Sequence, residues 1–487
     1  MERKIVGYTS GVFDLFHIGH LNILKRAKSQ CDYLIVAVCS DELTYKLKGK
    51  WPVTSCEERM KIVESIRYVD EVVLEANSDK LEAWNEYKYD ILFKGDDAKD
   101  KPVYRKYEEE LNKRGSRVQY FPYTKDISTS KVRAERIGKM EINKEKCMSL
   151  YFAFRYIGDD NLQFSENMVH RDHQIFPYKD RYAVKTAEDI DYYIKKVLDE
   201  VDLSKAAICL SGGMDSAILA SYMPKGTKAY TSRCVAESAV DETIQAKKYC
   251  DLYDLEHVIV DVTWEDHLKA MDELAKWDGS PIVPNEPQAY KMARQMCADG
   301  AETIIFGNSA DVVFGGMDRL LSKDWKFDEW MERYTFLDAR KVLKNPVDIT
   351  YIYEDYREGE QGIDFVRFLR EIYALSSSEA YTNAYSRVGV QYVDPFEHMK
   401  MADDLDLSRI RNGESKYLIR ELFKMKYPSL EVPEKLPMSR PADEWLSGWK
   451  GPKRPEFIPG CVAGLTGEQK LLVYSLERFL DIIDNYE

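Results

Sequence analysis

Along the first 140 residues, short apolar runs alternate with amphipathic stretches rich in Lys and Glu. "KIVGYTSGVF", "YLIVAVCS", "DEVVLEA", "DILFKGDD" and "RVQYFPY" read as strands, and "HLNILKRAKS", "EERMKIVESIRYV" and "STSKVRAERIG" as helices. The apolar runs are continuous rather than alternating, as strands buried on both faces require. This βα alternation predicts an α/β fold with a doubly wound parallel sheet. The polar segment "GKMEINKEKC" interrupts it, and an apolar stretch, "MSLYFAFRYIG", opens a second unit. We therefore expect a first domain over 1–140, a linker over 141–150 and a second domain over 151–487. In the second, "KAAICLSGG" is a strand entering a glycine turn and "MDSAILASYM" the helix leaving it. "KAYTSRCV", "EHVIVDVT" and "ETIIFGNS" read as further parallel strands, and from about Asp324 onward the pattern is helical. The expected architecture is two doubly wound parallel sheets, the second followed by a mostly helical region.

Composition changes this picture little. At 487 residues, with 44% hydrophobic and 32% charged positions, the chain is ordinary globular protein with more than one core. The net charge of −14 argues against nucleic acid as a partner, because affinity for its backbone needs clustered positive charge. The nine cysteines form no CxxC pair, which disfavours zinc and disulfide frameworks and fits reduced thiols in the cytoplasm. The N-terminal residues lack a signal-peptide pattern, and no stretch approaches the ~18 apolar residues of a membrane span. The expectation is a soluble cytoplasmic protein with no membrane partner.

Two strand-to-helix junctions carry the chemistry. In "GVFDLFHIGH", His17 and His20 are three positions apart, so on a first helical turn they point to one side. A helix start attracts anions through its N–H groups and dipole, and paired imidazole donors there suit a phosphoryl group whose charge shifts during displacement. The alternative is two structurally satisfied histidines. A metal site lacks a nearby third ligand. "DISTSKVR" sets Ser128, Thr129 and Ser130 before a helix, either as a plain N-cap or as a second phosphate-holding helix start. Lys46, Lys48 and Lys50 form a basic loop that reads equally as a solvated face, and Asp96 and Asp97 in "KGDD" as a turn. The second junction, "LSGGMDSAIL", is not a Walker loop, which ends in GK[ST]. Its Ser-Gly-Gly turn presents consecutive N–H groups to an anion, and Asp215 beside phosphates implies a bridging Mg²⁺. A merely tight connection is the alternative.

"GVFDLFHIGH", "VCSDELTYKLKGK", "ERMKIVESIRYVDEVV" and "DISTS", in this order and spacing, resemble the cytidylyltransferases acting on glycerol 3-phosphate, phosphocholine and phosphoethanolamine. The resemblance implies a Rossmann-like, HUP-type domain that binds CTP through Gly11, Phe13, Asp14, His17, His20, Lys48, Asp96, Asp97 and Ser128 to Ser130. His17 and His20 would stabilise the α-phosphate, and Lys48 would be a catalytic cation. Arg59 and Arg67 would be nucleotide or fold contacts. Where that family carries an arginine this chain has Tyr123, with Lys125 two positions away. The implied chemistry is in-line attack by an acceptor's phosphate on the α-phosphorus, with pyrophosphate leaving.

The second junction resembles the PP-loop of ATP pyrophosphatases. "VDETIQAKKYCDLYDLEH", "FGNSADVVFGG" and "KYLIRELFKMKYPSLEVPEKLPMSRPADEW" narrow this to the asparagine-synthetase-like branch. The resemblance implies ATP contacts from Leu210, Ser211, Gly212, Gly213, Asp215, Ser216 and Gly307. Asp215 and Asp311 would bind Mg²⁺, and an acyl-adenylate would be attacked by an amine to give an amide. The family glutamate tied to ammonia is Asn308 here, the last acidic position is Val312, and the lysine after R-P is Ala442. Lys435 is the expected substitute and Glu286 a replacement base. The family's glutaminase domain is absent, so nitrogen would come from free ammonia, an amine or a separate glutaminase.

The leading expectation is thus a bifunctional enzyme, a CTP-dependent nucleotidyltransferase and an ATP-dependent amide ligase, taking a small phosphorylated acceptor and a carboxylate and forming a homodimer. By analogy its products serve surface polysaccharide or capsule. Two alternatives stand beside it. One is a pyridine-nucleotide adenylyltransferase joined to an NAD-synthetase-like amidase; the other makes one domain a non-catalytic nucleotide-binding scaffold.

Overall fold

A computed structural model of the chain describes residues 3–48, 52–99, 102–121, 141–159, 162–166, 168, 175–434 and 440–485. The chain divides into two compact units, one of Met1–Ile142 with Ser165–Val169 and one of Asn143–Phe164 with His170–Glu487.

In the first unit the strands are β1 (Val6–Gly11), β2 (Tyr33–Cys39), β3 (Glu71–Glu75), β4 (Ile91–Gly95) and β5 (Arg117–Phe121). They form one parallel sheet in the order β3-β2-β1-β4-β5. The helices are α1 (Ile18–Lys28), α2 (Asp41–Lys48), α3 (Cys56–Glu64), α4 (Lys80–Tyr87) and α5 (Pro102–Lys113). Strand β2 accounts for the continuous apolar run. Leu34, Val36 and Val38 join Leu24, Ile91, Phe93 and Phe121 in one core, while Ile35 and Ala37 join Tyr8, Tyr89, Leu92 and Leu111 in another. Alternate side chains of a strand leave opposite faces, and here both faces are covered. Lys46 and Lys48, read as a basic loop, instead belong to the last turn of α2. Asp41 and Glu42 in its first turn favour helix through the dipole.

The second unit opens earlier than its sequence pattern indicates. Residues 144–150, read as part of a linker, lie in α6 (Lys144–Phe154), capped by the Asn143 side chain and buried from Cys147 to Phe154. Three lysines and glutamates in the first turn gave the segment its polar look, but the turns after it are core. Its sheet comprises β6 (Ala206–Cys209), β7 (Lys228–Cys234), β8 (Glu256–Val262), β9 (Thr303–Ile305) and β10 (Gln391–Val393), all parallel in the order β8-β7-β6-β9-β10. The helices used below are α7 (Met214–Ala220), α8 (Thr243–Tyr253), α9 (Ala310–Val313), α10 (Ala374–Val388) and α11 (Tyr417–Lys426). Strand β10 lies in the region read as wholly helical; at three residues it is too short to show a period. No helix among the described residues is long and apolar enough to cross a membrane.

Candidate active sites at the two switch points

In each sheet the chain winds outward in opposite directions from two central neighbours, β1 and β4 in the first unit and β6 and β9 in the second. The crevice beyond their carboxyl ends is where such sheets bind ligands.

In the first unit the loop after β1 passes through Phe13 at φ 54° and Leu15 at φ 45°. Left-handed conformations at non-glycine residues cost about 1–3 kcal/mol each and concentrate at functional sites. The loop ends at His17, the N-cap of α1. The Gly19 N–H donates to His17 Nδ1 (3.1 Å) and the His17 N–H to His20 Nδ1 (3.4 Å), a reciprocal capping box made of two imidazoles. A ring nitrogen that accepts carries no proton, so both neutral rings hold theirs on Nε2. The rings stack with centroids 3.9 Å apart, and Phe13 and Phe16 pack against His20. Burial lowers the His17 pKa, which favours the neutral form. The result is two Nε2–H donors fixed side by side at a helix start.

Other expected residues fall differently. Asp14 is buried and accepts the N–H groups of Val53 and Thr54, both at 3.0 Å; these bonds make it a tie between loops rather than a nucleotide contact. Arg59 is 0% exposed. It donates to the carbonyls of Val12 and Thr54 and pairs with Asp41, itself 2% exposed. Of the two expected roles, nucleotide or fold, its burial selects the fold. Arg59→Met is expected to lower the stability of the first unit by about 3–5 kcal/mol, because it strands a buried carboxylate; denaturant titration followed in that unit checks this. Arg67 is exposed and stacks on Tyr68. Gly11 ends β1, Asp96 is exposed just beyond β4, and Asp97 follows it. The Lys48 and Asp97 side chains, Tyr123, Lys125 and Ser128 to Ser130 lie outside the described residues. Sequence reading missed Lys94, whose ammonium donates to the Ser10 carbonyl (2.6 Å) and hydroxyl (2.9 Å) at the switch point. Its position at a strand's carboxyl end, before "GDD", was the available signal.

In the second unit the loop Leu210–Gly213 joins β6 to α7. The Ser211 N–H donates to Ser216 Oγ (3.0 Å), the Gly213 N–H to Ser211 Oγ (3.1 Å) and the Gly212 N–H to Glu242 (2.8 Å). A cavity of about 510 Å³ opens over it, lined among others by Ser211, Asp215, Gly307, Asp311, Lys416 and Arg420. Asp215 and Asp311 both converge on the Lys416 ammonium, at 2.6 and 2.7 Å. That lysine side chain is 5% exposed. Burial alone would lower its pKa, but the two carboxylates outweigh burial and hold it fully protonated. Lys416 sits in left-handed conformation, φ 51°, as the N-cap of α11. Gly316 is obligatory here, since a Cβ would overlap Asp311 and reach 2.8 Å from Lys416 Cδ. Neither residue stood out in the sequence, because "SKYL" has no local pattern that announces a buried cation.

The loop after β9 is pinned from β10. Asp394, buried, accepts the N–H groups of Asn308 (3.0 Å) and Ser309 (2.7 Å), while Asn308 Nδ2 donates to the Ser377 carbonyl and hydroxyl, both at 3.0 Å. Burial, helped by the neighbouring Glu397 charge, pushes the Asp394 pKa to about 7. The folded chain thus keeps a proton between about pH 4 and 7 that the unfolded chain releases, so this group's contribution falls as pH rises. Asp394→Asn is expected to flatten the decline of the second unit's Tm across that window, measured by scanning calorimetry.

Two expectations fail here. Glu286, read as a replacement base, is 1% exposed, bonded to the Val283 N–H and Asn383, and absent from the cavity wall; its burial belongs to the core. Ala442 lies in a short helix, Ala442–Trp445, and Lys435 lies outside the described residues. The Mg²⁺ expectation fits the donor set: two carboxylates that share one cation are the hard oxygen ligands Mg²⁺ takes alongside phosphates. Among the described residues no group of three or more His, Cys, Asp or Glu forms a metal cage, so such an ion would arrive with its nucleotide.

Two parallel sheets with polar, cation-bearing switch points define a two-unit nucleotide-handling α/β enzyme. Residues 8–135 match the family model described as Cytidylyltransferase-like, and residues 201–392 match that described as Asparagine synthase. The chain is 39% identical over 137 residues to the glycerol-3-phosphate cytidylyltransferase of Bacillus subtilis (strain 168), covering 28% of this chain and 98% of that relative. It is 41% identical over 97 residues to the FAD synthase of Pyrococcus abyssi, covering 20% of this chain and 66% of that one. Among solved structures, the lipopolysaccharide core biosynthesis protein of Thermoplasma volcanium GSS1 aligns at 29% identity and a TM-score of 0.23, over 26% of this chain and all of that one. The chain belongs to the cytidylyltransferase-like nucleotidyltransferases, joined to an asparagine synthase domain. It is a nucleotidyltransferase and an ATP-dependent ligase in one polypeptide.

Proposed function

We propose that the first unit transfers a cytidylyl group from CTP to a small phosphorylated acceptor of the glycerol 3-phosphate or phosphocholine kind. The second unit adenylates a carboxylate with ATP and converts it to an amide. The products would serve a surface polysaccharide or capsule. The observation that carries this reading is the same in both units: the central switch point brings fixed N–H donors and a lysine ammonium to one helix start.

In the first reaction an ionised phosphate of the acceptor attacks the α-phosphorus and diphosphate leaves, with no general base needed. The His17 and His20 Nε2–H groups would hold non-bridging oxygens as charge develops, and Lys94 would face the phosphates from β4. In the second, Ser211, Gly213 and Ser216 would cradle the diphosphate end of ATP. Bound Mg²⁺, held by Asp215 and Asp311, would neutralise charge on the departing diphosphate. Lys416 keeps those carboxylates together and adds its own positive charge.

The relatives named FAD synthase favour a second reading, a first unit that uses ATP. Pyrophosphate release tests both. The protein is incubated with CTP or ATP and with glycerol 3-phosphate, phosphocholine or nicotinate mononucleotide. CTP-dependent release with one of the first two acceptors is expected. Release with ATP and nicotinate mononucleotide, and none with CTP, overturns the proposal.

A further inference from the structure

Behind Asn308 lies a second cavity of about 10 Å³, lined by Arg181, Asn308, Ser309, Ser377, Ser378 and Glu397 together with apolar side chains. That is room for one water-sized molecule. Asn308 also lines the large cavity, so a single side chain separates the two spaces. The Asn308 amide has no basicity to offer, and its Nδ2 is committed to Ser377. The serine hydroxyls are not bases at neutral pH. Glu397 is the carboxylate among these lining residues. One of its oxygens accepts the Phe176 N–H at 3.0 Å; the other makes no hydrogen bond or ion pair among the described residues. Arg181, 8% exposed, spends Nε and Nη2 on the Phe176 carbonyl. Glu397 stands on the turn Pro395–His398, which follows directly on Asp394. Asp394 in turn grips the Asn308 and Ser309 N–H groups, so the carboxylate is held in register with the Asn308 loop. Burial raises the Glu397 pKa while Arg181 opposes it, and a carboxylate nearer neutrality is the stronger base.

We infer that this cavity seats ammonia as the nucleophile of the second reaction and that Glu397 is its general base. The inference rests on the acyl-adenylate reading above. The nitrogen lone pair of neutral ammonia attacks the acyl carbon, and the bond from that carbon to the adenylate oxygen breaks. The electron pair leaves with AMP, and one N–H proton passes to the unbonded Glu397 oxygen. The carboxylate becomes a carboxylic acid and later returns the proton to water.

The test separates the two half-reactions in the full-length protein. Carboxylate-dependent ATP–pyrophosphate exchange, run over a panel of carboxylic acids, reports adenylation without any amine. Amide formation is then measured with ammonium chloride, methylammonium chloride or ethanolamine as the nitrogen source. The wild type is expected to use ammonium at least about tenfold better than ethanolamine. Glu397→Gln is expected to keep exchange within about twofold and to lose about 10²-fold in amide formation, the lower end of what a general base supplies; Glu397→Asp retains part of it. Amide formation at the wild-type rate by Glu397→Gln overturns the proposal, as does equal use of ethanolamine. Loss of exchange in both variants assigns Glu397 to the shape of the loop and overturns it too. A wild type with no exchange for any acid refutes the adenylation reading itself, before any variant is made.

Discussion

Lys416→Met is expected to abolish the ATP-dependent reaction while leaving CTP turnover unchanged. The ammonium is buried between Asp215 and Asp311 at 2.6 and 2.7 Å, and methionine preserves most of its volume without its charge. Breaking a buried pair by removing one partner costs about 3–5 kcal/mol, because the remaining charge stays desolvated. Here two carboxylates are left facing each other, so the second unit's Tm falls. Mg²⁺ is expected to restore part of that Tm in the variant by occupying the place of the ammonium, whereas the wild type gains little from it. Catalysis does not return with the metal. Losing one preorganised charge at the departing diphosphate costs about 10²–10³ in rate. Carboxylate-dependent ATP–pyrophosphate exchange measures this loss, and an unchanged exchange rate would remove Lys416 from the reaction.

His17→Asn separates two functions that one residue combines. Asparagine is among the best N-caps, and its side-chain oxygen can accept the Gly19 N–H now bonded to His17 Nδ1. It cannot supply the Nε2–H donor. The variant is therefore expected to keep the stability of the first unit within about 1 kcal/mol and to lose about 10²–10³ in CTP-dependent pyrophosphate release. His17→Ala is expected to lose both the cap and the rate. A His17→Asn protein that turned over CTP normally would mean the paired imidazoles serve only to start α1. Neither substitution is expected to alter the ATP reaction.

Both reaction centres were half legible in the sequence. His17, His20, Ser211 and Asp215 sit within a few residues of a strand end, where the backbone itself makes an anion site, so a short motif was enough to find them. Arg59 misled for a different reason. An arginine on a lysine- and glutamate-rich helix looks like a surface cation, and only its carbonyl partners on two other loops make burial affordable. Residues 144–150 misled through their polar first turn.

What the chain determined locally was therefore its strands, through continuous apolar runs, and its two phosphate-facing loops, through glycines and caps placed at strand ends. What required the folded sheet was everything that reaches those loops from far along the chain. Lys416 lies 201 positions from Asp215, and Asp394 lies 86 from the Asn308 it holds. Glu397 faces the same loop from the turn after β10. Strand order places these groups together, because β10 pairs beside β9 and α11 begins at the mouth of the crevice. Periodicity and capping record only neighbours within a turn or two, so no pattern along the chain carries that information.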